Sequence, residues 1–416
     1  MRATPLHPTA GADHECPYCR VRLGVRGWLI PGMRNLADLL CGRCGREFYG
    51  DLAAGQALYT PMLLEKATGA VHDPHGVEWF AGWLRESYAG RSDDPVPFDV
   101  RERLDITRPV VLLNCLDTLY GHSFLKLLNA QHHLDRGANV DLVVMVPSFL
   151  AWMVPDGVAQ VWVVGLPLRR GTEWNEWLAR EVRRRVEAFD RVSLSHALSH
   201  PRPDEFDIER FTHVKPFPLG EWDARLGRPT VTFIWRDDRP WRDTDDAPPP
   251  TRRARLRRLL TSQSRPQRGQ AELISELAEA LRSELPALDF AVAGLAEAGG
   301  RGDLPVWVKD MRRQKLGDDA ERGWCERYAE SHVVIGVHGS NMLLPSAHAG
   351  GVVELIGPER WGNLTQDILF RDTSDCREAL FRYRFVDELT PPPDLARLIG
   401  LLLRKREDFR RLMNVL

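Results

Sequence analysis

Lysine is scarce in this chain of 416 residues: lysine and arginine together number 56, and only Lys66, Lys126, Lys215, Lys309, Lys315 and Lys405 are lysine. The arginine excess reads as a coding bias, because 58 acidic residues bring the net charge to −2. That balance removes the overall electrostatic case for a nucleic-acid partner. Locally, Thr251–Arg258 (TRRARLRR) is a basic run, read as a solvated face with contact to an anionic ligand as the sharper alternative. Long apolar runs are also missing: no stretch approaches the roughly 18 uninterrupted apolar residues of a membrane-spanning helix. The opening stretch MRATPLHPTAGADHECPYC lacks the apolar centre of a secretory signal. The expectation is a cytoplasmic protein with no membrane span. Composition is otherwise ordinary, 43% hydrophobic, and the length suffices for two or three domains with their own cores.

Cysteine is sparse too, seven in all, yet four fall in two pairs, Cys16-Pro-Tyr-Cys19 and Cys41-Gly-Arg-Cys44. Each Cys-x-x-Cys wraps one side of a tetrahedral ion, and the separation suits a two-knuckle site. The missing export signal argues against a disulfide framework. A redox Cys-x-x-Cys would open a helix in a thioredoxin-like unit, which is absent. The reading is a closed four-cysteine zinc ribbon with Cys16, Cys19, Cys41 and Cys44 as ligands; an iron site of rubredoxin type shares the ligand set. Such a ribbon staples a module too small to build its own core, or docks a protein. Cys115, Cys325 and Cys376 stand alone beside apolar residues and read as buried small hydrophobes.

From about residue 108 strands and helices alternate. Val110–Asn114, Val140–Val146 and Val158–Val164 read as strands. Tyr120–Arg136 and the charged stretch around Trp174–Phe189 read as helices. His196–Leu226, rich in Pro, His and Asp, reads as a connection. A second alternation follows, with strands at Pro229–Trp235, Leu288–Val292 and Val352–Ile356. Its helix Gln270–Leu285 places Leu273, Ile274, Leu277 and Leu281 on one face. After Pro391-Pro392-Pro393, Leu395–Met413 is a single amphipathic helix that crosses back onto the first half. This pattern predicts an α/β protein with mostly parallel sheets covered on both faces. The expected layout is a zinc ribbon over 1–60, a helical connector over 61–107, Rossmann-like lobes over 108–226 and 227–390, and a crossover helix over 391–416. Two such lobes with a cleft between them describe the GT-B architecture of glycosyltransferases.

The densest signal is Ser331–Asn363, SHVVIGVHGSNMLLPSAHAGGVVELIGPERWGN. A buried-strand run ends in the turn Gly336–Val337–His338–Gly339–Ser340, and a short helical pattern and a second apolar run follow. Glycines let backbone approach a ligand, and a helix N-terminus offers N–H groups and a positive dipole end to a phosphate. Glu354, on the next strand, can accept hydrogen bonds from ribose hydroxyls. The combination points to a nucleotide-type ligand. Ligands of open α/β sheets bind beyond the carboxyl ends of the strands, where Asp117, His122, Arg236, Arg239 and His338–Asn341 cluster.

These residues resemble the donor-binding core of glycosyltransferase family 61. The likeness is specific in ERYAESHVVIGVHGSNMLL with VVELI, which matches the family's Gly-x-His-Gly-Ala/Ser turn and Glu-bearing strand. It is looser at IWRDDR, RGQAELISEL and Gly121-His122, and spans roughly 110–390. Asn341 and Met342 replace the usual small apolar pair, and the ribbon is no part of the family core. More distant GT-B families, heptosyltransferases among them, have a comparable turn.

The resemblance implies transfer of a sugar from a nucleotide-sugar donor to a hydroxyl of a glycan or other acceptor, inverting and without a DxD metal site. It makes 108–226 the acceptor lobe and 227–390 the nucleotide-sugar lobe. It assigns Arg236, Arg239 and Arg268 to the diphosphate, His338, Gly339, Ser340 and Asn341 to the β-phosphate and sugar, and Glu354 to the ribose or base. His122 and Asp117 are the candidates for the base that deprotonates the acceptor, although Asp117 is equally a helix cap. The competing expectation is a non-catalytic nucleotide-sugar-binding protein that recruits a partner through the ribbon.

Overall fold

The computed structural model describes residues 3–136, 139–202, 205–242, 269–297, 302–371 and 374–414. The chain divides into two compact units, Met1–Arg202 and Pro203–Leu416. In the first, β1 (Ala3–His7) precedes an antiparallel sheet of β2 (Gly24–Leu29), β3 (Leu36–Leu40), β4 (Glu47–Asp51), β5 (Leu63–Glu65) and β6 (Val71–His72), paired in that order. The helix Glu78–Ala89 and β7 (Phe98–Glu102) follow. Then come β8 (Val110–Asn114), the helix Tyr120–Asp135, β9 (Asp141–Pro147), β10 (Gln160–Val164), the helix Glu176–Val186 and β11 (Val192–Ser195).

The larger sheet has the order β1-β11-β8-β9-β10-β7. Its four inner strands are parallel, and the edges β1 and β7 run antiparallel to them. Every residue of β8 and β9 is buried, as expected of parallel strands covered on both faces. The helix Tyr120–Asp135 packs on both strands. Trp28, Leu39 and Phe48 of the small sheet, with Ile30 just beyond β2, share one apolar cluster with Leu112, Val143, Met145, Leu178 and Val182.

That shared core corrects the expected boundaries. The cysteine-bearing sheet is no appendage over 1–60: its strands run to His72, and it is packed into the first unit. The stretch 61–107 is not simply a helical connector, because it supplies β5, β6 and the edge strand β7. The first strand, β1, belongs to the large sheet through its pairing with β11.

The second unit holds β12 (Thr230–Trp235), the helix Gln270–Glu284, β13 (Asp289–Leu295), β14 (Lys309–Arg313), the helix Asp318–Glu330, β15 (Val333–Val337), the helix Leu343–His348, β16 (Gly351–Ile356), β17 (Tyr383–Asp387) and the helix Pro392–Met413. All the pairings are parallel, in the order β14-β13-β12-β15-β16-β17. Counted from the unit's own first strand this is the 3-2-1-4-5-6 order of doubly wound nucleotide folds. Each unit is thus a Rossmann-like α/β layer, as the alternation predicted.

One expectation fails here for packing reasons. The segment read as a connection within the first lobe carries Phe217 and Trp222, both fully buried in the second core, and the Trp222 indole donates to the Leu403 carbonyl at 3.2 Å. The boundary therefore falls at 202/203 instead of 226/227. The last helix packs within the second unit, where Leu395, Ile399 and Leu403 fill the same second core against the helix Gln270–Glu284.

In the first unit a buried ion pair ties the small sheet to the helix Glu78–Ala89. Arg34 Nη1 lies 2.7 Å from Asp51 Oδ2, with side chains 7% and 0% exposed. Arg34 Nη2 donates to the Phe80 carbonyl at 2.8 Å, and its guanidinium lies over the Phe80 ring. Removing one partner of such a pair strands a buried charge. Arg34→Ala is expected to cost about 3–5 kcal/mol of stability at neutral pH, read from the denaturant midpoint of unfolding; a change within about 0.5 kcal/mol would contradict this account.

Candidate functional site

The strand order of the second unit reverses between β12 and β15, and the loops leaving their carboxyl ends carry the polar residues singled out from the sequence. Trp235 ends β12 and Arg236 follows directly; Val337 ends β15 and His338 follows directly. Arg236 Nη1 donates to Asn341 Oδ1 at 2.6 Å and lies 3.4 Å from the His338 carbonyl oxygen. Arg239 Nη1 donates to that same carbonyl at 2.7 Å. Gly339 has φ +149, and a Cβ there would lie 2.3 Å from Arg236 Nη1 and 3.3 Å from Arg239 Nη1. Only glycine fits comfortably beneath the two guanidinium groups. Ser340 opens a 3-10 turn, Ser340–Met342.

The two arginines differ in charge balance. Asp238 grips Arg236 in a fork, Nε to Oδ1 at 2.9 Å and Nη2 to Oδ2 at 2.5 Å. Arg239 forms no ion pair among the described residues; burial and the neighbouring charges of Arg236 and Arg360 push its pKa down. An arginine stays charged regardless, and the carboxylates of Asp238 and Asp367 act on Arg239 without pairing with it directly. Sequence reasoning favoured Arg236 as the anion ligand; the geometry makes Arg239 the more available cation. Arg360, on the segment Pro358–Asn363, was missed, since nothing in its local pattern separates it from any other surface arginine.

Two further expectations change. The helix Leu343–His348 has six residues, too short for its terminal dipole to carry an anion site. Glu354 does not project outward to a ribose. It is 0% exposed, and its Oε2 lies 2.5 Å from His338 Nδ1. Burial pushes the Glu354 carboxyl well up, aided by the negative charge of Asp367. Burial pushes His338 down. Arg268 and the basic run Thr251–Arg258 lie outside the described residues.

In the first unit Asp117 follows β8 and His122 lies in the first turn of the helix Tyr120–Asp135. Asp117 is fully buried against Lys126, Nζ to Oδ2 2.7 Å, and its Oδ1 lies 3.4 Å from His122 Nδ1. Its Oδ1 also accepts from the Thr118 amide at 2.8 Å. Burial alone would raise the Asp117 pKa, but Lys126 and His122 outweigh it and hold the carboxyl well below the usual range. A carboxyl held this low is a weak base, which counts against Asp117 as the proton acceptor. Gln56 Nε2 lies 2.9 Å from His122 Nδ1, and the His200 ring meets the His122 ring edge-on. Gln56 and Lys126 escaped the sequence reading; Gln56 is 66 positions from its partner, beyond the reach of any local motif.

The thiol sulfurs of Cys16, Cys19, Cys41 and Cys44 all lie within 4.8 Å of one another. Cys16 Sγ and Cys44 Sγ are 3.7 Å apart, close to the ~3.8 Å edge of a tetrahedron with metal–sulfur bonds of about 2.3 Å. The four residues can hold a metal ion. Cys115 and Cys325 are buried as expected, whereas Cys376 is exposed. Among the described residues no helix is long and apolar enough to cross a membrane.

No protein-family model matches the chain, and no curated protein does. Among solved structures, the chain is similar to E. coli ADP-heptose lps heptosyltransferase II, at 12% identity over 72% of this chain and 99% of that one, TM-score 0.37. It is similar to E. coli heptosyltransferase WaaC with ADP, at 12% identity over 71% and 99%, TM-score 0.37. These likenesses are loose, and the fold class stands on the strand order and pairing of the two sheets.

The Asp117–Lys126 pair generates a signed pH dependence. A depressed native pKa contributes stability that is present above the unfolded value, about 4, and is lost as pH falls toward the native pKa. Lys126→Met removes the cation, so its deficit is expected to reach about 3–5 kcal/mol at neutral pH and to shrink as pH falls through about 4, where Asp117 of the unfolded wild type takes a proton while the native carboxyl, held low, does not. Melting temperatures of both proteins from pH 3 to 8 check this, and a pH-independent gap would contradict it.

Proposed function

We propose that this protein is a glycosyltransferase that moves a sugar from a nucleotide-sugar donor to an acceptor hydroxyl, with inversion and without a metal at the reacting centre. The observation that carries the reading is the arginine-rich turn at the reversal of strand order, where Arg239 has no ion-pair partner among the described residues and Gly339 has no side chain. Departure of a nucleoside diphosphate concentrates negative charge on its terminal phosphate. Fixed guanidinium groups stabilise that charge as it develops and match phosphate oxygens two at a time. Arg239 and Arg236 would hold the diphosphate, with Gly339, Ser340 and Asn341 on the sugar side. The family 61 resemblance of Ser331–Ile356 supports the same assignment, and the second unit would be the nucleotide-sugar lobe.

His122 would take the acceptor proton. Base action at Nε2 requires Nδ1 to carry the proton, with the Gln56 amide turned so that its oxygen, which has no hydrogen-bond partner among the described residues, accepts Nδ1–H beside the Asp117 carboxylate. The hydroxyl oxygen then attacks the anomeric carbon as its bond to the diphosphate oxygen breaks. Asp117, held by Lys126, would orient the ring from the far side. The sequence also contains Asp243-Thr244-Asp245, outside the described residues, which this mechanism leaves unused.

Cys16, Cys19, Cys41 and Cys44 would hold a structural zinc. The donor set is all thiolate, and four protein ligands leave no open position for catalysis. Cys16 and Cys41 belong to the shared apolar cluster of the first unit, so the ion would stabilise that unit, with docking of a protein partner as a further use. A soluble, cytoplasmic enzyme fits these properties.

Thermal stabilisation by a panel of nucleotide sugars and nucleoside diphosphates tests the donor site. One nucleotide should raise the melting temperature of the wild type, by mass action, and should fail to do so for Arg239→Ala. No response to any member by folded, metal-loaded protein would overturn the proposal. With the donor known, His122→Ala should lower kcat by about 10²–10⁴ and leave donor affinity unchanged, whereas Asp243→Asn and Asp245→Asn should leave kcat as it is.

A further inference from the structure

We infer that Glu354 is a carboxyl group that donates its own proton to His338 Nδ1, fixing the ring as an Nε2–H donor, and that this donor takes an oxygen of the diphosphate. The inference rests on the donor-site reading above and extends it to a pair that the sequence had assigned to other tasks.

The geometry decides where the protons sit. His338 is 1% exposed and Glu354 0%, and the 2.5 Å separation of Nδ1 and Oε2 places one proton between them. On the other edge of the ring, Nε2 faces two acceptors. The Asp367 carboxylate lies 3.9 Å away, and the Asn363 carbonyl lies on the same side. The carboxylate is beyond hydrogen-bonding distance and the carbonyl contact is a weak one, so among the described residues Nε2 is buried with no well-formed hydrogen bond. A nitrogen turned toward acceptors is the one that carries the proton, which leaves Nδ1 as the acceptor of the Glu354 contact.

The alternative is an imidazolium–carboxylate pair, and the surroundings disfavour both of its charges. Burial opposes a charged ring and the cations Arg239 and Arg360 repel it, and together these outweigh the attraction of Asp367. Glu354 Oε1 has no hydrogen-bond partner, and the neighbouring charge felt by this carboxyl is another anion, Asp367. An ionised Glu354 would be a buried charge with half of its acceptor capacity unmet. Burial pushes the two groups toward neutrality from opposite sides.

A buried N–H without a close acceptor is costly unless something arrives to satisfy it. Here the arrival is anionic, because both Arg236 and Arg239 are anchored on the carbonyl of His338 itself. A diphosphate has enough oxygens to meet the guanidinium groups and Nε2–H together, with one oxygen supplying the close acceptor that Asp367, at 3.9 Å, does not. A neutral donor suits this task. It strengthens as charge gathers on the leaving oxygen, yet adds no fixed positive charge to hold the product back.

Two measurements test the inference on the intact, metal-loaded protein. Nitrogen-15 spectra of histidine-labelled protein, with the His338 signals assigned by their loss in His338→Gln, should show Nε2 protonated and Nδ1 bare at neutral pH; the opposite tautomer overturns the inference. Calorimetric titration with inorganic pyrophosphate should give Glu354→Gln an affinity within about twofold of wild type, because the amide N–H also donates to Nδ1. Glu354→Ala should bind about tenfold more weakly. The ratio of wild type to Glu354→Gln, in which the titration of pyrophosphate cancels, should fall as rising pH ionises Glu354. Equal losses in Gln and Ala would overturn the tautomer lock, while binding that still depends on Arg239 would leave the donor site standing. Pyrophosphate binding that Arg239→Ala does not weaken, or no binding at all, would overturn both.

Discussion

In a parallel sheet whose strand order turns back on itself, neighbouring strands at the turning point send their following segments to opposite faces, and backbone there is left without a crossover above it. In the second unit that point lies between β12 and β15. The residues immediately beyond those two strands, Arg236 and His338, are therefore brought together by topology, although 102 positions separate them in the chain. The fold supplies the opening, and the side chains decide what it admits. Two guanidinium groups meeting on one carbonyl, over a residue with no side chain, set its sign.

The charge of that opening is unevenly balanced between its parts. Asp238 satisfies Arg236 at close range, so Arg236 serves as much to fix Asn341 and the turn as to offer charge outward. Arg239 has no such close carboxylate among the described residues. The histidine beneath them contributes its carbonyl to the arginines and its ring to Glu354, so one residue links the cationic surface of the turn to a buried acid on the adjacent strand.

The inner strands were legible because their apolar runs are continuous: VVLLN, TVTFIW and GVVELI are each buried almost throughout. The edge strands were not. FDVRE and KDMRR pair on one side only and face solvent, so they keep charged residues that mask a strand pattern. The clustering of the four cysteines was legible because their spacing is local, and the meeting of Arg236, Arg239 and Gly339 because they sit beside strand ends. What escaped were contacts that only tertiary packing makes: Gln56 against His122, Lys126 against Asp117, Arg360 beside Arg239. Glu354 was misread because a lone carboxylate in an apolar run looks the same whether it faces a ligand or pairs inward with a histidine.

The pairing of β1 with β11 carries a consequence for the order in which the chain can fold during synthesis. Thr4 contacts His196, 192 positions later, so the large sheet of the first unit is completed only after nearly all of that unit has left the ribosome. The cysteine-bearing sheet closes far sooner, since its strands are neighbours in sequence. The small sheet can therefore stand ready, with its apolar face awaiting the inner strands, before the sheet that it will cover exists. Its partner strands then assemble against a surface already in place, which shortens the time that VVLLN and DLVVMVP spend uncovered and prone to aggregate.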